Sequence, residues 1–370
     1  RSIDLLCSGD RTMTIPRGQG DDEDPLETPP TLPDLTPNLS SLTHPEGVQA
    51  PPSLLGFEVF EEIGHGGMGV VYRARQRSTG TVVALKVLRK ERLGNANLIQ
   101  RFRREAQAVA RLTHPHIVHL VEADLEGPVP YLAMEFVGGI DLQSLVEKTG
   151  PLPVAQACDF VRQAAVALQH AHEQGMVHRD IKPSNLMVVA PNGLPLPARP
   201  VIKVLDMGVA RLYQLPENET PLTTLTRDGS MIGTLDYIAP EQLEDPRSVD
   251  IRADLYSLGC TFYFLLTGQV PFPGGSVFQK ADWQRWKVAV SPDQLRREIG
   301  PGVASLVRKL MQKDRDDRFQ TPGELAEALE TLLRTGQLPG THQPAAPLLV
   351  RSILCPPGPI VGLAFDADGT

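Results

Sequence analysis

No stretch of the 370-residue chain approaches the roughly 18 consecutive apolar residues that a membrane-spanning helix needs, so no segment reads as transmembrane. Cysteine is scarce. The four present (Cys7, Cys158, Cys260, Cys355) stand far apart, with no C-x-x-C pair. That spacing excludes a zinc ribbon and a disulfide framework, and it points to a reducing, cytoplasmic setting. An excess of positive charge is missing too. The formal net charge of −8 argues against a chain whose main task is to bind nucleic acid or an anionic membrane. The opening residues, R-S-I-D-L-L-C, hold neither an initiator Met nor the apolar core of a signal peptide, and the sequence is expected to begin inside a longer reading frame. What remains is ordinary globular material, 41% hydrophobic and 22% charged.

Composition divides the chain. Residues 1–55 are rich in Pro, Thr, Asp and Gly and carry the acidic run Asp21, Asp22, Glu23, Asp24. They offer little apolar surface against the entropy of ordering and read as a disordered leader. At Phe57 the pattern changes to strand-like runs, F-E-V-F-E-E-I, G-V-V-Y-R-A and T-V-V-A-L-K-V-L. Beyond Pro153, helical periodicity takes over at Ala155–His172, Ile251–Leu266, Gly302–Met311 and Pro322–Leu333. Strands followed by helices predict an α+β protein with a small β-rich lobe and a larger helical one. A linker is expected over 335–345.

Between the first two strand-like runs lies Gly64-His65-Gly66-Gly67-Met68-Gly69. Glycines let backbone N–H groups approach phosphate oxygens, because no Cβ intervenes. A G-x-G-x-x-G alone is equally a Rossmann turn or a flexible hairpin. Here a strand, not a helix, follows, which favours a flap over a nucleotide. Lys86 sits in the β-branched run V-A-L-K. Glu105, nineteen positions on, falls in line with Leu98, Phe102 and Val109 on the apolar stripe of a helical pattern. A carboxylate facing a core is costly unless paired, and Lys86 is the available partner.

The most specific motif is H-R-D-I-K-P-S-N, residues 178–185. It sets a carboxylate (Asp180), a cation (Lys182) and an amide (Asn185) in one loop. Such a set can accept a hydroxyl proton, neutralise a transferring phosphoryl group and ligate a metal. Asp206-Met207-Gly208 follows the buried run V-I-K-V-L, as suits a metal ligand on a hinge. Ala239-Pro240-Glu241, Asp254-Leu255-Tyr256-Ser257-Leu258-Gly259 and Asp317-Arg318-Phe319 come next. Glu241 and Arg318 read as a buried ion pair, and Asp254 as a tether for the loop around Asp180.

In order and spacing these motifs resemble the eukaryotic-like serine/threonine protein kinases, especially their bacterial members, over residues 57–334. The resemblance implies transfer of the γ-phosphoryl group of ATP, with Mg2+, to hydroxyls of protein substrates. Lys86 would be the nucleotide lysine, with Glu105 its partner, and Asp180 the catalytic base helped by Lys182. Asn185 and Asp206 would ligate magnesium. Ile63, Gly64, Gly66 and Gly69 would cover the nucleotide, and Val71, Ala84 and Met187 would sandwich adenine. Met134 would be the gatekeeper, with the hinge from Glu135 to Val137 meeting adenine and Asp141 the ribose. Lys182 and Thr234 fit the serine/threonine branch. Arg101, Arg179 and Arg211 would gather around an activating phosphate, for which Thr226 and Ser230 are the expected acceptors.

Two departures stand out. Met207 replaces the usual Phe, and its pliable side chain can fill the same packing role. Twenty residues separate Asn185 from Asp206, and the excess, A-P-N-G-L-P-L-P-A-R-P, reads as an extended hairpin loop on the back of the large lobe. The histidines His114, His116, His119, His170 and His172 read as structural, Trp283 and Trp286 as core of the large lobe, and D-A-D-G near the end as a turn. A pseudokinase scaffold is the alternative function, but Lys86, Asp180, Asn185 and Asp206 are all present. A-P-E and the long preceding segment disfavour a small-molecule phosphotransferase. Residues 346–370, with Val361, Leu363 and Phe365 alternating before Asp368-Gly369, resemble the opening of a WD-repeat β-propeller, which would bind partner proteins.

Overall fold

The computed structural model describes residues 56–65, 69–88, 106, 109–125, 127, 129–207, 234–245 and 247–336. The expected leader, most of the linker and the closing apolar segment lie outside these residues. So do Glu105, Arg101, Gly66, Arg211, Thr226 and Ser230.

Runs of β-branched and aromatic residues form five strands: β1 (Phe57–His65), β2 (Gly69–Gln76), β3 (Val82–Leu88), β4 (Leu120–Asp124) and β5 (Tyr131–Glu135). They make one antiparallel sheet in the order β1-β2-β3-β5-β4. Strand alternation in β3 sorts its side chains. Val83, Leu85 and Val87 turn to a small core with Phe57, Ala74, Tyr131 and Ala133. Lys86 and Leu88 turn the other way, and Lys86 is nevertheless 7% exposed. Gly69 cannot be replaced cheaply, because a Cβ there would lie 2.2 Å from the Val87 carbonyl oxygen.

The second lobe begins with β6 (Gly139–Asp141) and α1 (Leu142–Thr149), whose N-terminus is capped by Asp141 accepting from Ser144 N. Its long helices are α2 (Val154–Glu173) and α4 (Ile251–Thr267), with the short α3 (Pro240–Glu244) before the latter. After α4 come α5 (Val277–Trp286), α6 (Pro301–Leu310) and α7 (Pro322–Thr335). The helical spans expected from periodicity hold to within one or two residues. Every residue of α4 except Arg252 is buried, as expected of a helix apolar on all sides. Gly259 lets α6 come close: a Cβ there would stand 2.6 Å from that of Leu310. Tryptophan placement differs in part from expectation. Trp283 packs on the core, whereas Trp286 is 75% exposed. The inner face of α5 is taken by Ala281 and Gln284, and Trp286, two residues past Gln284, projects from the opposite side.

The lobes are stitched by the segment 114–119 and the hairpin β7 (Leu186–Val189) and β8 (Ile202–Val204), which extends β6 into a three-stranded antiparallel sheet. Val118 N donates to Val204 O (3.0 Å) and Val204 N to His116 O (2.8 Å). The β7–β8 connection is the expected long loop, and Gln163 of α2 pins its end by bonding Pro200 O (3.1 Å) and Ile202 N (2.9 Å). Beside it three histidines cluster, the His114 ring stacked on His170 at 5.2 Å and 5.5 Å from His116. Burial, together with His116, His170 and the Lys203 ammonium, pushes the His114 imidazole from 6.5 down to about 4.

A folded form that protonates His114 only near pH 4 loses ground to an unfolded form that protonates near 6.5. Stability should therefore fall as pH drops from about 6.5 to about 4, and fall less in His114→Gln. Thermal midpoints measured across that window check this; parallel curves for the two proteins would refute it.

Candidate active site

The H-R-D-I-K-P-S-N residues form a loop with a pinned backbone. His178, 1% exposed, accepts from Asp180 N at Nδ1 (3.2 Å) and contacts Leu205 O at Nε2 (2.8 Å). An amide N–H at Nδ1 and a carbonyl at Nε2 assign the tautomer protonated on Nε2. Asp254, fully buried in α4, receives His178 N (2.7 Å) and Arg179 N (2.6 Å). Burial pushes its carboxyl upward, opposed by His178 and by the two backbone N–H groups. Arg179 has φ 68°, a left-handed conformation that costs a non-glycine residue about 1 kcal/mol or more and needs outside support.

The functional groups converge on this loop. Lys182 Nζ lies 3.1 and 2.9 Å from the two carboxylate oxygens of Asp180. Asn185, closing the turn Pro183–Asn185, donates from Nδ2 to Asp180 O (2.7 Å) and Oδ2 (3.0 Å). Across the cleft, Lys86 of β3 donates to Asp206 Oδ1 at 2.9 Å. Burial opposes ionisation of Asp206, but Lys86, with His178 and Lys182, outweighs it and holds the carboxyl below its ordinary range. Asp206 also has a left-handed φ of 53°. Met207 behind it is 2% exposed, filling the packing position expected of it.

Strand register assembles the rest. Val71 faces Lys86, Ala84 faces Met134, and Asp141 faces Met187. Lys86, Leu132, Met134, Asp206 and Met207 line one cleft. Gly64 pairs with Val71, and Ile63 on the same strand is 45% exposed. Glu135 bonds Lys203 (2.7 Å) across the lobe junction, and Val137 is half-buried. Thr234 opens the short turn Thr234–Asp236, and this segment is held in ways the sequence did not signal. Lys280 of α5 grips Asp236 at 2.6 and 2.8 Å, and Gln284 Nε2 donates to Leu235 O at 2.9 Å. Both partners lie more than forty positions away in sequence, beyond the reach of any local pattern.

A small antiparallel sheet over a helical lobe, with a lysine–aspartate pair facing an H-R-D loop, is the arrangement of the protein kinase class. The family described as "Protein kinase domain" matches residues 57–330, and the chain belongs to it. It is 37% identical over 287 residues to the serine/threonine-protein kinase PknB of Mycobacterium leprae, covering 76% of this chain and 44% of that protein. The chain thus spans less than half the length of the curated relatives it matches. Among solved structures, a single-residue variant of the Mycobacterium tuberculosis PknI kinase domain superposes with a TM-score of 0.56 at 25% identity, covering 77% of this chain and 98% of that one. Rad53 in complex with AMP-PNP gives 0.58 at 27% identity, covering 73% of this chain and 64% of that one. Among the described residues, no helix is long and apolar enough to cross a membrane.

The expected pair Glu241–Arg318 is formed. Arg318, with its side chain fully buried, uses all five of its N–H donors. Two go to Glu241 (2.6 and 2.9 Å) and three to the carbonyls of Gln312, Arg252 and Lys313. Arg318→Met should strand Glu241 and cost about 3–5 kcal/mol in urea unfolding at pH 7. Arg318→Met with Glu241→Leu should regain the part of that loss due to the stranded carboxylate, but not the part due to the carbonyls the guanidinium also served. A single variant within about 1 kcal/mol of wild type would contradict the reading.

Proposed function

We propose that the chain is an ATP-dependent serine/threonine protein kinase that phosphorylates its own activation segment as well as other proteins. One observation carries the reading. Lys182 and Asn185 both lie within hydrogen-bond distance of Asp180, and His178, in the same loop, bonds the carbonyl of Leu205, next to the Lys86–Asp206 pair. Asp180 accepts the proton of the attacking Ser or Thr hydroxyl, while Lys182 neutralises charge on the transferring group. Lys86 clamps the α- and β-phosphates, with Glu105 as its helix partner in this proposal. Val71, Ala84, Met134 and Met187 hold the adenine, the Glu135–Val137 backbone meets its edge, and Asp141 takes the ribose. Ile63, Gly64, Gly66 and Gly69 cover the phosphates. AMP-PNP in the Rad53 complex supports the nucleotide reading by analogy.

The donor set suits a hard divalent cation. Asp206 offers carboxylate oxygens, and Asn185, bonded through Nδ2, keeps Oδ1 without a donor among the described residues. These two residues would hold Mg2+, which when bound offsets charge on the phosphate oxygens. We also propose that Arg101, Arg179 and Arg211 receive a phosphate on Thr226 or Ser230. The division into leader (1–55), kinase domain (57–334), linker (335–345) and a propeller opening (346–370) that recruits partner proteins belongs to the same proposal, as does a cytoplasmic location.

Lys86→Ala and Asp180→Asn should each lower phosphoryl transfer from labelled ATP to a mixed protein panel on the order of a thousandfold, with circular dichroism unchanged. Asp180→Asn retaining more than about a tenth of wild-type turnover would defeat the assignment. Mass spectrometry after incubation with Mg-ATP should find phosphate between Leu222 and Ser230. Full activity without it, or activity indifferent to Arg179→Ala, would rule out the activation step.

A further inference from the structure

The left-handed Arg179 peptide must be held from outside, and its N–H and its carbonyl are held by different elements. Asp254 of α4 takes the N–H. Gln242 of α3 takes the carbonyl, its Nε2 donating to Arg179 O at 2.9 Å. The other end of the same amide is engaged too: Gln242 Oε1 accepts from Ala239 N at 3.1 Å. A backbone N–H only donates and a carbonyl only accepts, so both contacts require the same amide orientation. Gln242 is half-buried and bridges the end of the segment that begins at Thr234 to the peptide preceding Asp180.

We propose that Gln242 is a positioning residue for phosphoryl transfer, setting the orientation of the Arg179–Asp180 peptide and thereby of the Asp180 carboxylate. It acts through Arg179 and touches neither substrate nor nucleotide. Its two bonds are chemically separable. At the third position of a helix, Glu and Gln cap the N-terminus equally well, because each offers an oxygen to the N-cap N–H. Only Gln also donates, and a Glu carboxylate would face the Arg179 carbonyl with like partial charge. The side chain therefore couples the anchoring of α3 to the geometry of the catalytic loop. Ala239 and Gln242 move with the 234–244 segment, so a displacement of that segment reaches Asp180 through one amide.

This inference rests on the kinase reading, and its test separates the two. The full chain, Gln242→Glu and Gln242→Met are assayed with Mg-ATP and myelin basic protein as acceptor, alongside thermal midpoints and amide hydrogen exchange of the peptide spanning 176–182. Gln242→Glu, which keeps the cap, should hold its thermal midpoint within about 2 °C and its KM for ATP unchanged. Its kcat should fall about tenfold, equivalent to about 1.4 kcal/mol. Exchange in 176–182 should rise at least about fivefold, a change of about 1 kcal/mol in opening. Gln242→Met should lose a similar factor in kcat and also melt earlier. Wild-type exchange in 176–182, or kcat within twofold of wild type in Gln242→Glu, overturns the proposal. Inactive wild-type protein with faster exchange in Gln242→Glu would sink the kinase reading while upholding Gln242 as the holder of the Arg179 peptide.

Discussion

The structure turns on the buried carboxylate of Asp254. An irregular loop in the middle of a protein carries backbone donors that neither a helix nor a sheet can satisfy. Here two of them, at His178 and Arg179, find the two oxygens of one side chain. Without that acceptor the left-handed turn at Arg179 would keep only the bond from Gln242 to its carbonyl. The requirement also explains α4. A helix that presents a carboxylate at the centre of the lobe has to be surrounded on every side, and all but one of its residues are buried.

From this anchor the other contacts can be ordered by what they hold. His178 links the loop to the backbone at Leu205, one residue before Asp206, so the two halves of the site share a support. The Lys86–Asp206 pair then joins the sheet of the small lobe to the large one. Its position follows from strand alternation: with Val83, Leu85 and Val87 committed to the small core, Lys86 faces the cleft. Glu241 and Arg318 hold α3 at the base, and Lys280 and Gln284 hold the turn before it. The left-handed angles at Arg179 and Asp206 show where this support is spent.

PknB of Mycobacterium leprae matches over three quarters of this chain, and the superposition on the PknI kinase domain covers nearly all of that domain. The long β7–β8 loop, pinned by Gln163 at one end and by Ala190 N on Gly138 O at the other, shows how an insertion is absorbed without disturbing the hairpin register.

Much of the fold was legible because its signals are short-range. The strand-like run of β3 and the helical spans of α2, α4, α6 and α7 depend on local pattern alone, and they appear where that pattern places them. The H-R-D-I-K-P-S-N residues are equally local, since Asp180, Lys182 and Asn185 meet within one turn of chain. The pairs Arg318–Glu241 and Asp254 with the loop were readable only as motifs at set distances. What the tertiary structure alone decided is which distant side chain satisfies which polar group. Gln242 on the Arg179 carbonyl, Lys280 on Asp236 and the stacked histidines at the lobe junction have no periodic signature. So too with Trp286, whose exposure depends on what already occupies the inner face of α5. Hydrophobic patterning acts over a few residues, whereas a hydrogen-bond partner is chosen by where the folded backbone happens to place a donor against an acceptor.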